Sequence, residues 1–349
     1  MSAYGFGLVG AGLIADFHAK AIKEIKGARV AAVSDVDEVR GKAMADRLGA
    51  SFYNDFRELA RDPKVDIVNV CTPSGLHMEP SLAAIDAGKH VVVEKPLEVT
   101  LQRCDTVIQK ADKTGVTLGV IFPSRFSDAT SAVKQALDRG RLGRITLADA
   151  YVKWYRTQEY YDRGGWRGTW KLDGGGALMN QSIHAIDLLN WLVGPVVAVE
   201  AFTGTLGHRI EVEDTAVAAV RFESGALGVI EGTTAAYPGF LKKLEISGTK
   251  GSIIMEENSL PTWRFDSEEA EDLQLRERFA VKTLRGGAAD PADIGHEGHR
   301  RQLADFVEAL ENRRRPLVDG LEGRKAVEII LAIYESARRG KVVELPLEG

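Results

Sequence analysis

Through the first third of the chain, short apolar runs alternate with stretches that carry apolar residues at helical spacing. Phe6 to Val9 is followed by a glycine turn and then by Ile14, Ala21, Ile22 and Ile25 on one helical stripe. Arg29 to Ser34 is a second run, and a helix near Val39 to Leu48 follows, with Asp37 as N-cap and Gly49 as stop. The pattern repeats with Ile67 to Val70, a helix from His77 to Ala87 ended by Gly88, and the run His90 to Val93. It closes with a helix from Leu101 to Lys113 and a strand from Leu118 to Ile121. Apolar runs without polar alternation suit strands covered on both faces, so residues 1–122 are expected to form a doubly wound, parallel-sheet Rossmann domain.

Beyond a crossing at Phe122 to Asp128 the period changes. A helix over Ala129 to Leu137 leads into Ile145 to Tyr155, where apolar and polar positions alternate as in a half-buried antiparallel strand. Val196 to Phe202, Ala216 to Phe222, Leu227 to Thr234, Leu241 to Ser247 and Gly251 to Met255 read as further strands. Two amphipathic helices, near Arg300 to Asn312 and Glu322 to Arg339, precede the tail Val342 to Leu345. Residues 123–349 are therefore expected to form an α/β domain with a large, open, mostly antiparallel sheet that binds substrate and carries an oligomer contact.

Chemistry enters at the ends of the strands. Gly10-Ala-Gly12-Leu13-Ile14-Ala15 opens the first helix: Gly10 permits the tight turn, Gly12 lets a pyrophosphate approach the backbone, and the helix amides face the phosphate. Asp35 ends the second strand near the interval of about 20 residues at which a carboxylate meets the adenosine ribose. Its charge repels a 2′-phosphate, which favours NAD over NADP. Thr72, Pro73 and His77 are expected on the cofactor side of the sheet's carboxyl edge. The run His90-Val-Val-Val-Glu94-Lys95-Pro96 is a strand that delivers a lysine; Glu94 and Lys95 are expected to emerge from the core at that edge.

The second half contributes an aromatic stretch, Arg156 to Gly176, with Tyr160, Tyr161, Trp166, Arg167 and Trp170, following Trp154. Ring faces and guanidinium groups suit sugars. Arg156, Lys153 and Arg167 are candidates to hold an anion. After the glycines 174–176 a helix carries Asn180, His184 and Asp187 on one face, where the imidazole can exchange a proton with a hydroxyl near neutral pH. His296-Glu-Gly-His299 lacks the HExxH spacing, so no metal site is expected; His299 is a candidate to reach the substrate instead.

Composition narrows the class. Of 349 residues, 44% are hydrophobic and 27% charged, and the formal charge of -5 leaves no basic footprint for nucleic acid. Cys71 and Cys104 make no CxxC pair, which fits a reducing cytoplasm. No apolar run approaches the roughly 20 residues of a membrane span, and the first residues lack a basic leader region. The expected partner is a small molecule.

Taken together, Gly10-Ala-Gly12, Thr72-Pro73 to His77, Ala87-Gly88-Lys89-His90-Val-Val-Val-Glu94-Lys95-Pro96 and Gly174-Gly-Gly to His184-Ala-Ile-Asp187 resemble the glucose-fructose oxidoreductase/inositol dehydrogenase (Gfo/Idh/MocA) family over essentially the full length. The resemblance implies NAD-dependent oxidation of a secondary hydroxyl on a sugar, sugar derivative or cyclitol, and homodimers or homotetramers. It implies that Lys95 contacts the reacting hydroxyl and nicotinamide and that His184 is the general base. Many family members have Asp four residues before this His; here the position is Asn180. The stretch from Trp166 to His184 looks like members acting on pyranosides and nucleotide-linked sugars, uronic acid derivatives among them. Two other readings stand beside this one: an NAD-dependent glycosidase with transient oxidation, and a nucleotide-binding regulatory protein without catalysis.

Overall fold

A computed structural model describes residues 4–280 and 295–347. The chain divides into two compact units, one comprising Met1–Pro123 with Gly295–Val327, the other Ser124–Ile294 with Glu328–Gly349.

In the first unit the chain runs β1 (Tyr4–Val9), α1 (Leu13–Lys23), β2 (Ala28–Ser34), α2 (Glu38–Leu48), β3 (Ser51–Tyr53), α3 (Phe56–Arg61), β4 (Ile67–Val70), α4 (Met78–Asp86), β5 (His90–Val93), α5 (Leu101–Thr114) and β6 (Leu118–Val120). The strands form one parallel sheet in the order β3-β2-β1-β4-β5-β6. Strand order reverses between β1 and β4, the switch point at which such sheets bind ligands beyond their carboxyl ends. Local chemistry sets the helix limits: Asp37 and Thr100 accept amides of Arg40 and Arg103, and Gly49 and Gly115 take left-handed φ values of 64° and 72° at the exits. The short β3 and α3 lay too close to ordinary turn composition to be read from sequence.

The second unit carries α6 (Asp128–Asp138), β7 (Ile145–Lys153), α7 (Gln158–Asp162), α8 (Ile183–Val193), β8 (Val196–Gly204), β9 (Thr215–Phe222), β10 (Leu227–Thr233), β11 (Lys243–Gly248), β12 (Gly251–Glu256), β13 (Ser259–Phe265) and α9 (Ala270–Arg278). Its eight-stranded sheet has the order β13-β12-β11-β7-β10-β9-β8-β14, where β14 is Val343–Glu344. Every pair is antiparallel except β7 with β10. Burial alternates strictly along β9, with Ala216, Ala218, Val220 and Phe222 inside and Val217, Ala219 and Arg221 outside, so one face is core and the other open.

Two expectations change. The second domain was expected to be contiguous from residue 123, but the helix α10 (Glu297–Glu311) belongs to the first unit. There Leu303, Phe306 and Val307 join the core made by Phe6, Leu8, Ile22 and Ile67. Gln302 accepts the Phe122 amide at 2.9 Å and donates to the Val120 carbonyl at 2.7 Å, and the Val318 carbonyl accepts the Val120 amide, so the returning chain seals the edge beside β6. The last long helix, α11 (Gly320–Arg339), begins in the first unit and ends in the second. The helix expected immediately after the glycine triplet starts as a π-turn, Ala177–Ser182, before α8 continues in α form. Asn180 thus precedes the regular helix on which an α-helical face was assumed.

Candidate active site

The phosphate cradle in the first unit follows from three small residues. Gly10 has φ 98°, and a Cβ there would lie 2.7 Å from the Cys71 carbonyl oxygen. A Cβ on Gly12 would meet nothing within 4 Å, and this residue caps α1 with no side-chain hydrogen bond, leaving the first amides of α1, next to exposed Leu13 and half-buried Ile14, for an anion. Asp35 closes the cradle: its Oδ2 accepts the Ala11 amide at 2.6 Å and its Oδ1 the Asp37 amide at 2.7 Å. Arg40 adds a bidentate pair to the same carboxylate at 2.8 to 3.2 Å. Burial raises the Asp35 carboxyl, but Arg40 and the two amides outweigh it and hold the group below its ordinary value. These residues fit a dinucleotide whose ribose diol meets Asp35.

Lys95 follows β5 and is half-buried; Lys95 and Pro96 are joined by a cis peptide bond. Glu94 does not emerge as expected: it is 6% exposed. Its Oε1 accepts His18 Nε2 at 2.8 Å and lies 3.6 Å from His299 Nε2, while Oε2 accepts the Lys95 amide at 3.1 Å. Burial alone would raise the Glu94 carboxyl, yet His18 and His299 bring it well below the usual carboxylate range; burial holds the His18 ring below its ordinary value against the pull of Glu94. Among the described residues His18, Glu94 and His299 are the group whose ligand atoms, all within 4.8 Å of one another, have the composition of a metal site. The distances are those of a hydrogen-bonded cluster. His296, the other histidine of the pair read from sequence, faces Glu24 at 2.8 Å.

His77 is fully enclosed, with Nδ1 2.8 Å from the Pro96 carbonyl and Nε2 3.0 Å from that of Thr72. Burial keeps its ring below the ordinary value. It ties the Thr72-Pro73 turn to the segment that carries Lys95. Thr72 itself donates from its hydroxyl to the Leu76 carbonyl at 3.0 Å.

In the second unit, Tyr160 gathers the aromatic loop. The guanidinium groups of Arg167 and Arg156 lie 4.7 and 5.5 Å from its ring centroid, and Arg167 also lies over Trp166 at 4.8 Å. Arg156 is buried, whereas Lys153 pairs with Glu231 at 2.9 Å on β10 and stands apart from this group. Gln181 donates to the Tyr160 hydroxyl at 3.2 Å. Asn180 Nδ2 donates to Asp173 Oδ1 at 2.6 Å, and Asp173 Oδ2 accepts the Gly168 amide at 2.9 Å. Asp173, which sequence reading passed over, thus supplies a carboxylate next to Asn180; its position just before the glycine triplet was the available signal. One helical turn on, His184 is half-buried, and Asp187 is held by a bidentate, almost fully buried pair with Arg125 at 2.6 and 2.9 Å.

Residues 4–122 match the oxidoreductase family's NAD-binding Rossmann fold, and residues 130–254 match the GFO/IDH/MocA C-terminal domain. The chain belongs to the Gfo/Idh/MocA oxidoreductase family. As a member it is an NAD-dependent sugar or polyol dehydrogenase acting on a CH-OH group. Myo-inositol 2-dehydrogenase of Thermotoga maritima is 29% identical, with 97% of this chain and 98% of that protein covered. The 1,5-anhydro-D-fructose reductase of Ensifer adhaerens is 31% identical over 97% of this chain and 98% of its own. Among solved structures, the WlbA dehydrogenase of Bordetella pertussis, in complex with NADH and UDP-GlcNAcA, is 35% identical with a TM-score of 0.90, covering 100% of this chain and 99% of that one.

Proposed function

We propose that this dehydrogenase oxidises a secondary hydroxyl of a nucleotide-linked sugar carrying a carboxylate, with Lys95 and His184 as the catalytic residues. The observation that carries this reading is the 35% identity to a dehydrogenase bound to UDP-GlcNAcA, over both whole chains, against 29% for the inositol dehydrogenase. The loop chemistry agrees: Arg156 and Arg167 bring two permanent cations to one tyrosine ring, a combination suited to an anionic sugar.

Bound NAD supplies the hydride acceptor. Gly10, Gly12, Leu13 and Ile14 would hold its phosphates and Asp35 its ribose, with the Thr72-Pro73 turn, tied by His77, on the cofactor side. His184 is assigned to take the hydroxyl proton on its imidazole, and the Lys95 ammonium to stabilise the negative charge that develops on oxygen. Asn180 ties the π-turn before α8 to Asp173. The open face of the second unit's sheet presents Phe202, Val217, Leu227 and Leu147, which β8–β9, β10–β9 and β10–β7 pairing set in neighbouring strands. We assign that face to a homo-oligomer contact. Buried, unpaired Cys71 and Cys104 agree with a cytoplasmic setting.

The test is NADH formation from NAD with UDP-GlcNAcA, myo-inositol, levoglucosan and free uronic acids. Fastest turnover of UDP-GlcNAcA supports the reading; turnover of the neutral sugars alone contradicts it.

A further inference from the structure

Burying an ionised carboxylate is costly, and an apolar residue at position 94 would fill the same space without that cost. The surroundings of Glu94 show what the charge does. Its Oε2 accepts the main-chain amide of Lys95 at 3.1 Å, and its Oε1 is met by His18 at 2.8 Å and approached by His299 at 3.6 Å. Two helices that are far apart in sequence, α1 and α10, converge on this one group. His18 comes from α1, fully enclosed, and its Nδ1 receives the Asn69 side-chain amide of β4 at 2.8 Å, which leaves the ring proton on Nε2 facing Glu94. His299 comes from α10; its ring stacks on Phe17 at 6.2 Å and sits edge-on to His18 at 5.3 Å. On the far side of Lys95, the Pro96 carbonyl is bonded to His77 at 2.8 Å. The main chain is therefore held at the Lys95 amide by Glu94 and, one peptide beyond the lysine, at the Pro96 carbonyl by His77, while the lysine itself is half-buried.

We propose that His18, Glu94 and His299 form a buried positioning relay for Lys95: the imidazoles fix the carboxylate, and the carboxylate fixes the main chain from which the catalytic ammonium extends. This rests on the assignment of Lys95 as a catalytic residue. A displacement of the order of 1 Å in such a group lowers turnover by about 100-fold. His18 and His299 touch neither substrate nor cofactor in this account and act through Glu94.

The experiment compares His18→Leu, which fills the space without an N–H, with His18→Gln, which keeps a donor near the Nε2 position. Hydrogen exchange at the Lys95 amide is read by fragmentation mass spectrometry in the NAD-bound protein, with the Val92 amide as a reference for general loosening. Turnover is read as NADH formation from UDP-GlcNAcA. The relay predicts Lys95 exchange faster by about 10-fold or more in His18→Leu with Val92 unchanged, near-parental exchange in His18→Gln, and a fall of about 10- to 100-fold in kcat for Leu alone, with NAD affinity retained. Equal acceleration at Lys95 and Val92, or unchanged Lys95 exchange in His18→Leu, overturns it by reducing His18 to packing. Recovery of lost turnover by added Zn2+ after chelation overturns it in favour of a metal site. Lys95→Ala with parental turnover would remove the catalytic assignment instead, a result the exchange comparison does not share.

Discussion

At the scale of single residues, Asp35 and Arg40 define the cofactor choice together. Arg40, inside α2, lies half-exposed on the Asp35 carboxylate. With Asp35 present the guanidinium is occupied and a 2′-phosphate is repelled. Asp35→Ser removes both effects and leaves Arg40 free to pair with a phosphate. The expected outcome is a loss of about 10-fold or more in kcat/KM with NAD and a gain of similar size with NADP, measured as the ratio of the two. The glycine cradle was legible from residue types and spacing, and the places of Lys95 just after β5 and His184 on α8 from the strand and helix patterns. The burial of Glu94 was not, since its partners His18 and His299 are brought to it only by folding; a charged residue after three valines reads as an exit from the core unless its counterparts are known.

In the second unit the π-turn before α8 carries Asn180. Glu213 holds its start: its Oε2 accepts the Gly176 amide at 2.9 Å, and its Oε1 accepts the Leu178 amide at 2.8 Å and the Tyr334 hydroxyl at 2.9 Å. Gly176 is required there, because a Cβ would lie 1.7 Å from the Glu213 carbonyl oxygen. Burial pushes the Glu213 carboxyl from 4.5 up to about 7, against the pull of these donors. A carboxyl raised in the folded state contributes stability below its unfolded value that is lost as pH rises through the folded one. For Glu213 the loss falls between about pH 4.5 and 7 and amounts to about 3 kcal/mol. Relative to Glu213→Gln, which does not titrate, the parent should therefore lose about 2 to 3 kcal/mol between pH 5 and pH 8 in urea unfolding; parallel curves would refute the assignment. Strands and helices with strong periodicity or caps were readable in the sequence, α2 and α5 within a residue or two. The π-turn was not, because its cause is a carboxylate from 35 residues further on.

For the whole molecule, the alternation of β and α made the parallel sheet readable, whereas the membership of residues 295–327 was not. An amphipathic helix announces that it has a core, not which one, and α10 finds its core in the first unit through Leu303, Phe306 and Val307. The same limit holds for assembly. Phe202 is 81% exposed on the open sheet face, with Val217 directly opposite it on β9. The proposed contact predicts that Phe202→Asp lowers the sedimentation coefficient in sedimentation velocity while leaving the unfolding transition in place; an unchanged sedimentation coefficient would move the contact off this face.

The proposed reaction turns on Lys95 and on NAD as the hydride acceptor. The most direct measurement is the initial rate of NADH formation from UDP-GlcNAcA in the parent and in Lys95→Ala, with NAD binding measured in both. The account predicts steady NADH accumulation by the parent, a loss of about 100-fold or more in the variant, and NAD affinity little changed. Equal rates in the two proteins would contradict it, as would NAD binding by the parent with no NADH formed.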